Sequence, residues 1–97
     1  METLTRQEID QRLASEGSAW RYDAGVLVRS VTCATFMDGI RLVDAVAVEA
    51  ERLDHHPDID VRWTTITFRL WTHVADGVTR RDFRLADAID NVVRALT

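Results

Sequence analysis

Along this chain the apolar positions switch between helical and strand spacing, and capping or turn chemistry marks each switch. Thr5-Arg6-Gln7-Glu8 has the form of a capping box, with Thr5 accepting from first-turn amides while Glu8 reaches back. Leu4, Ile9 and Leu13 give the helix it opens a narrow apolar stripe, and Gly17 with Ser18 is its expected stop. Trp20-Arg21-Tyr22 and Val26–Cys33 are rich in β-branched and aromatic residues; Asp23-Ala24-Gly25 between them carries turn chemistry, which predicts a hairpin. A second cap, Thr35 with Asp38, opens a helix on which Phe36, Ile40, Val43, Ala47 and Ala50 recur at helical spacing. Leu42, Val46 and Leu53 add a second stripe, making a face wide enough to pack on a sheet and to meet another subunit. Pro57 ends that helix, because the residue before a proline is pushed out of the α region.

Val61-Arg62-Trp63 and Ile66–Thr72 follow, and in the second of these Ile66, Phe68 and Leu70 alternate with Thr67, Arg69 and Trp71. Thr64-Thr65 between them reads as a hairpin turn or as a bulge in one long strand. After the turn Ala75-Asp76-Gly77, Thr79-Arg80-Arg81-Asp82 caps a last helix with Phe83, Ala86, Ile89, Val93 and Leu96 on its buried face. The order is α-β-β-α-β-β-α. With the strands joined as hairpins, this predicts an α+β fold, a four-stranded antiparallel sheet with three helices packed on one face. The Val26–Cys33 strand has no proline and a single charge, so at a sheet edge it would be a template for pairing with a second copy. A homodimer is expected on that ground, and a homotetramer if the second helix also pairs.

A chain of 97 residues is expected to form a single domain, residues 1–97, without a linker. A net charge of −4 gives no broad basic field for tracking phosphates, so no direct nucleic-acid binding is expected, although a local arginine cluster is compatible with it. All twelve basic residues are Arg, which removes lysine Schiff-base chemistry and the Gly-Lys-Ser/Thr phosphate loop. Cys33 is the only cysteine, so neither an intrachain disulfide nor a multi-cysteine zinc site can form, as suits a reducing compartment. With no basic-then-apolar start and no apolar run long enough to span a bilayer, a soluble, cytoplasmic protein without a membrane partner is expected.

The chemistry gathers around Glu51-Arg52-Leu53-Asp54-His55-His56-Pro57, which holds two of the three histidines; the third, His73, ends the run Ile66–Thr72. A fold that brings that helix end beside that strand end collects all three imidazoles in one small-molecule pocket. Imidazole exchanges protons near neutrality, so such a pocket suits acid–base work. Taken singly, His55 and His56 also suit a helix C-terminal dipole, and His73 can simply end a strand. A zinc site is a second functional reading, but adjacent histidines do not have the usual paired-ligand spacing. Asp82 is accounted for as the carboxylate of its capping box.

Asp54-His55-His56-Pro57, then Trp63, Thr72-His73 and Asp82, with Glu51 upstream, resemble the pterin-4a-carbinolamine dehydratases in order and spacing. The likeness spans nearly the whole chain, taking in Leu4-Thr5 with Glu8, Trp20, Ala50-Glu51 and Gly77-Val78-Thr79. It implies an enzyme that dehydrates 4a-hydroxytetrahydrobiopterin, or a related 4a-hydroxytetrahydropterin, to the quinonoid dihydropterin in tetrahydrobiopterin recycling. It implies no metal and no organic cofactor, and a dimer or tetramer; the vertebrate member is also a dimerisation cofactor of a homeodomain transcription factor. By resemblance His55, His56 and His73 are catalytic, Glu51 orients an imidazole, and Asp54, Trp71 and Thr72 join the histidines in contacting the pterin. Ile59 stands where vertebrate members carry tryptophan, and Trp71 where serine is common. The chemistry agrees: a carbinolamine loses water when its C4a hydroxyl gains a proton and ring nitrogen N5 gives one up, and two poised imidazoles serve both steps. The competing class is a non-catalytic protein-binding or dimerisation module on the same fold, which would use the helix face around Ile40, Leu42 and Val46.

Overall fold

The computed structural model describes residues 2–15 and 18–96. Its elements run α1 (Arg6–Ser15), β1 (Arg21–Asp23), β2 (Val26–Thr32), α2 (Phe36–Leu53), β3 (Asp58–Arg62), β4 (Thr65–Leu70), a 3-10 turn at His73–Ala75, and α3 (Arg80–Leu96). The strands form one antiparallel sheet in the order β1-β2-β4-β3, with the helices packed on one face. This is the architecture that the periodicity predicts. Among the described residues no helix is long and apolar enough to cross a membrane.

Local chemistry starts each element. At α1 the Glu8 amide donates to Thr5 Oγ1 at 3.1 Å and the Thr5 amide to Glu8 Oε1 at 3.0 Å, a reciprocal capping box. Those bonds, the Thr5 amide first, hold the Glu8 carboxyl below its ordinary value. The expected stop at Gly17 lies outside the described residues. Ala24 and Gly25 have positive φ values of 48° and 88°, as a two-residue hairpin turn requires. Thr35 caps α2 by accepting from the Asp38 amide at 3.0 Å.

The core lies between sheet and helices. Leu27, Val31, Ile66, Phe68 and Leu70 from the sheet meet Leu42, Val46 and Ala50 of α2 and Leu85, Ala86 and Ile89 of α3. Gly39 brings α2 close to the sheet, since a Cβ there would stand 3.0 Å from Ile66 Cδ1. Alternation along β2 puts Arg29 on the helix side with Leu27 and Val31, where its guanidinium pairs with Asp90 of α3. Trp20 Nε1 donates to the same Asp90 oxygen at 2.8 Å, so one carboxylate ties α3 to β2 and to the segment before β1.

Several expectations need correction. The third strand starts at Asp58 rather than Val61, and Trp63-Thr64 forms the hairpin turn, with Trp63 at φ 51°; Thr65 is already in β4. The Val26–Cys33 strand is not a sheet edge: β2 lies between β1 and β4. β1 pairs only with Val26, Leu27 and Val28, however, so among the described residues β2 has no strand beside Arg29–Thr32 on that side. On α2 the stripe that faces inward is Gly39, Leu42, Val46 and Ala50, leaving Phe36 and Ala47 exposed and Ile40 and Val43 half-buried. Leu42 and Val46 are therefore core residues and cannot form a docking face. The large apolar side chains that α2 does expose are Phe36, Met37 and Val48. Leu96 of α3 is likewise exposed, while Leu85 and Ala88 are buried.

Candidate active site

The β3–β4 register builds the site. Asp58 pairs with Arg69, so the loop leaving α2 through His55-His56-Pro57 runs beside the segment Trp71-Thr72-His73 that leaves β4. α2 ends in a reversal of the Schellman type. Asp54 takes the left-handed conformation (φ 50°, ψ 45°), its amide reaches Glu51 O at 3.2 Å, and the His55 amide reaches Ala50 O at 3.0 Å. Asparagine or glycine is the usual occupant of that position, and Asp54 holds it here at some conformational cost. The turn directs His55 inward and leaves His56 on the surface.

Asp54, His55, His56, Trp71, Thr72 and His73 line one open cleft of 260 Å³, together with Val74 and Arg81. Six residues nominated by the sequence thus meet in one place. Glu51 is outside the lining and reaches the site through His56, whose Nε2 is hydrogen-bonded to Glu51 Oε2. Arg81, which sequence reasoning did not nominate, donates from Nη2 to the Asp54 carbonyl oxygen and closes one side of the cleft.

Asp82 is the larger omission. It is fully buried, and its Oδ1 lies 2.5 Å from His55 Nε2. Its Oδ2 accepts from Thr72 Oγ1 at 2.9 Å and from the Thr79 amide at 2.8 Å. The capping role read from Thr79-Arg80-Arg81-Asp82 is real, since the Arg81 amide also donates to Thr79 Oγ1 at 3.2 Å. The same carboxylate nevertheless grips an imidazole. No local signal separates the two roles, because His55 is 27 residues away in sequence.

Proton directions in this network follow by elimination. A carboxylate only accepts, so the Thr72 hydroxyl proton goes to Asp82, and the Thr79 hydroxyl, 2.7 Å from Thr72 Oγ1, must donate to it. Opposite the carboxylate, His55 carries its proton on Nε2, and Glu51 imposes the same tautomer on His56. His55 is buried and His56 exposed.

His73 is held differently. Among the described residues its imidazole has no hydrogen-bond partner, but its ring stacks on Trp71 with centroids 4.2 Å apart and an interplanar angle of 11°. Two imidazoles therefore rest on carboxylates and the third on an indole face. Among the described residues no three His, Cys, Asp or Glu side chains converge to hold a metal ion. What the arrangement offers is three imidazoles in reach of one bound molecule, two of them fixed in tautomer.

Comparison with known proteins matches residues 2–92 to the family model described as Pterin 4 alpha carbinolamine dehydratase. A Mycolicibacterium smegmatis protein assigned as a pterin-4-alpha-carbinolamine dehydratase is 45% identical over 93 residues, covering 96% of this chain and 98% of its own. A Mycobacterium bovis protein with the same assignment is 46% identical over 90 residues, 93% of this chain and 95% of its own. The crystal structure of a transcriptional coactivator/pterin dehydratase from Brucella melitensis superposes with a TM-score of 0.87 at 26% identity, covering 94% of this chain and 98% of that one.

Proposed function

The chain belongs to the pterin-4a-carbinolamine dehydratase family, and from that premise we propose that the cleft of His55, His56 and His73 is its active site. The family activity is that of a hydro-lyase removing water from a 4a-hydroxytetrahydropterin. For this chain the proposed reaction is the conversion of 4a-hydroxytetrahydrobiopterin, or a close relative, to the quinonoid dihydropterin. The observation that carries the reading is the convergence of three imidazoles on one cleft, two of them with Nε2 on a carboxylate.

Dehydration takes one proton from N5 and gives one to the C4a hydroxyl; the C4a–O bond breaks, a C4a–N5 double bond forms and water leaves. No electrons leave the substrate, so no redox partner is needed. An imidazole backed by a carboxylate is the better acceptor, because the imidazolium that forms faces an opposite charge. His56, exposed and backed by Glu51, is assigned removal of the N5 proton, and His73, whose imidazole has no hydrogen-bond partner among the described residues, the delivery of a proton to the hydroxyl. His55, buried on Asp82, forms part of the cleft lining and is assigned a contact with the substrate. Asp54, Trp71 and Thr72 complete the pterin-contacting surface, with Arg81 beside them.

The working unit is proposed to be a homodimer or homotetramer. The uncovered side of β2 at Arg29–Thr32 supports pairing of two sheets, and the exposed Phe36, Met37 and Val48 of α2 support contact between helices. A reducing, cytoplasmic setting fits the single half-buried Cys33.

The deciding experiment is stopped-flow dehydration of freshly generated 4a-hydroxytetrahydropterin. His56→Ala and His73→Ala should each slow turnover by at least ~100-fold, the lower range for loss of a general acid or base. A folded variant lacking all three histidines that turns over at the original rate would overturn the assignment.

A further inference from the structure

Three guanidiniums crowd the first turns of α3. Arg80, Arg81 and Arg84 line a groove of 400 Å³ in which Glu2 is the one acidic lining residue. Arg81 is also part of the wall of the histidine cleft, and Arg81 with Arg84 borders a small hollow against His55 and Leu53. Arg81 thus lines both the groove and the cleft.

This placement works against the stability of the helix. The first turn of a helix is the positive end of its dipole and disfavours cations. Arg80 and Arg84 are also four residues apart, a spacing at which like charges repel. Among the described residues neither makes a hydrogen bond or close ion pair; Arg80 acts only at longer range, on Glu8. Asp82, the acidic residue of the same turn, is buried with its oxygens on His55, Thr72 and Thr79 and cannot neutralise them. A chain of net charge −4 has therefore placed two arginines, Arg80 and Arg84, without a hydrogen bond or close ion pair among the described residues, beside its candidate active site. Local choices that oppose stability are expected where function requires them.

The backbone amides are not the source of attraction, because Thr79 and Asp82 already cap α3. The guanidiniums are: their planar donors match the paired oxygens of a carboxylate or phosphate. The geometry points to an oxyanion subsite, in which Arg80 and Arg84 hold a carboxylate or phosphate on the side chain of a 4a-hydroxytetrahydropterin whose ring lies against the histidines. This rests on the dehydratase reading of the cleft and points, among the close relatives of 4a-hydroxytetrahydrobiopterin, to those whose side chain is anionic.

The test compares three 4a-hydroxytetrahydropterins that carry at ring carbon 6 a methyl group, a carboxylate-bearing chain or a phosphate ester. The protein is used as wild type and as the double variant Arg80→Gln/Arg84→Gln, with Arg81 left in place because it lines the cleft. For wild type, kcat/KM should be about tenfold higher for an anionic substrate, carried by KM, as expected for charge-assisted contacts. The preference should shrink as salt screens the arginines. The double variant should lose the preference and turn over the methyl substrate at the wild-type rate. The carboxylate and phosphate arms identify which oxyanion is taken. Equal kcat/KM for all three substrates in wild type, or a preference that survives in the double variant, would overturn the subsite. Calorimetric binding of the three oxidised pterins keeps the outcomes separable. Absence of turnover with every substrate counts against the dehydratase reading, and a tenfold binding difference removed by the double variant still supports the subsite.

Discussion

Replacing Asp82 by Asn separates the two roles that its position combines. The substitution keeps the side-chain shape but leaves one acceptor oxygen where three donors now converge: the Thr79 amide, the Thr72 hydroxyl and His55 Nε2. If the amide oxygen keeps Thr79 and Thr72, its NH2 group faces His55 Nε2, and two donors meet unless the imidazole moves its proton to Nδ1. Hydrogen bonds to charged groups contribute about 1.5–3 kcal/mol and neutral ones about 0.5–1.5. Weakening three such bonds should therefore cost about 2–4 kcal/mol. A domain of this size has about 5–15 kcal/mol of stability, so the variant stays folded. The forced tautomer changes which ring nitrogen of His55 bears the proton, and the loss of one substrate contact of about 1.5 kcal/mol should lower kcat about tenfold. Urea unfolding measures the first effect and stopped-flow dehydration the second. A variant with a lowered urea midpoint and an unchanged kcat would make Asp82 a helix cap alone and refute the positioning role.

Among the described residues the Trp71 stack is the one ring contact of His73, and aromatic pairs contribute about 0.5–1.5 kcal/mol, so Trp71→Ser should lower kcat by about 2- to 12-fold while Trp71→Phe retains most of it. Equal rates for wild type and Trp71→Ser would show that the imidazole needs no indole. Activity should survive dialysis against a strong chelator, since the proposed reaction is proton transfer by His56 and His73 and not Lewis-acid catalysis; activity lost on chelation and restored by zinc would contradict this. Sedimentation at micromolar concentration should give more than one chain per particle. Val48→Glu, on a side chain 65% exposed in the single chain, should reduce the assembly size without unfolding it. A wild-type protein that sediments only as a monomer would rule out both contacts.

Much of this molecule is written in short-range chemistry. The caps at Thr5 and Thr35, the turn at Asp23-Ala24-Gly25 and the arrest of α2 before Pro57 depend on side chains within a few residues of the backbone they control. For that reason the element order and the fold class were legible, as was the identity of the three histidines. Position within the fold was not. Alternation marks one face of β2 as apolar but does not say which strands lie beside it, so its inner place between β1 and β4 emerges only in the assembled sheet. A wide apolar face on α2 likewise does not tell which stripe meets the sheet; close contact of Gly39 with Ile66 turns Leu42 and Val46 inward and leaves Phe36 and Val48 outside. The site follows the same division. Its imidazoles could be named from the chain, but their partners could not, because the bond from Asp82 to His55 spans 27 residues. It forms only when the pairing of Asp58 with Arg69 brings the exit of α2 beside the exit of β4, and the start of α3 closes over both. Hydrogen bonds and ring contacts act over a few ångströms of space, whatever the separation along the chain, and only the tertiary structure sets those distances.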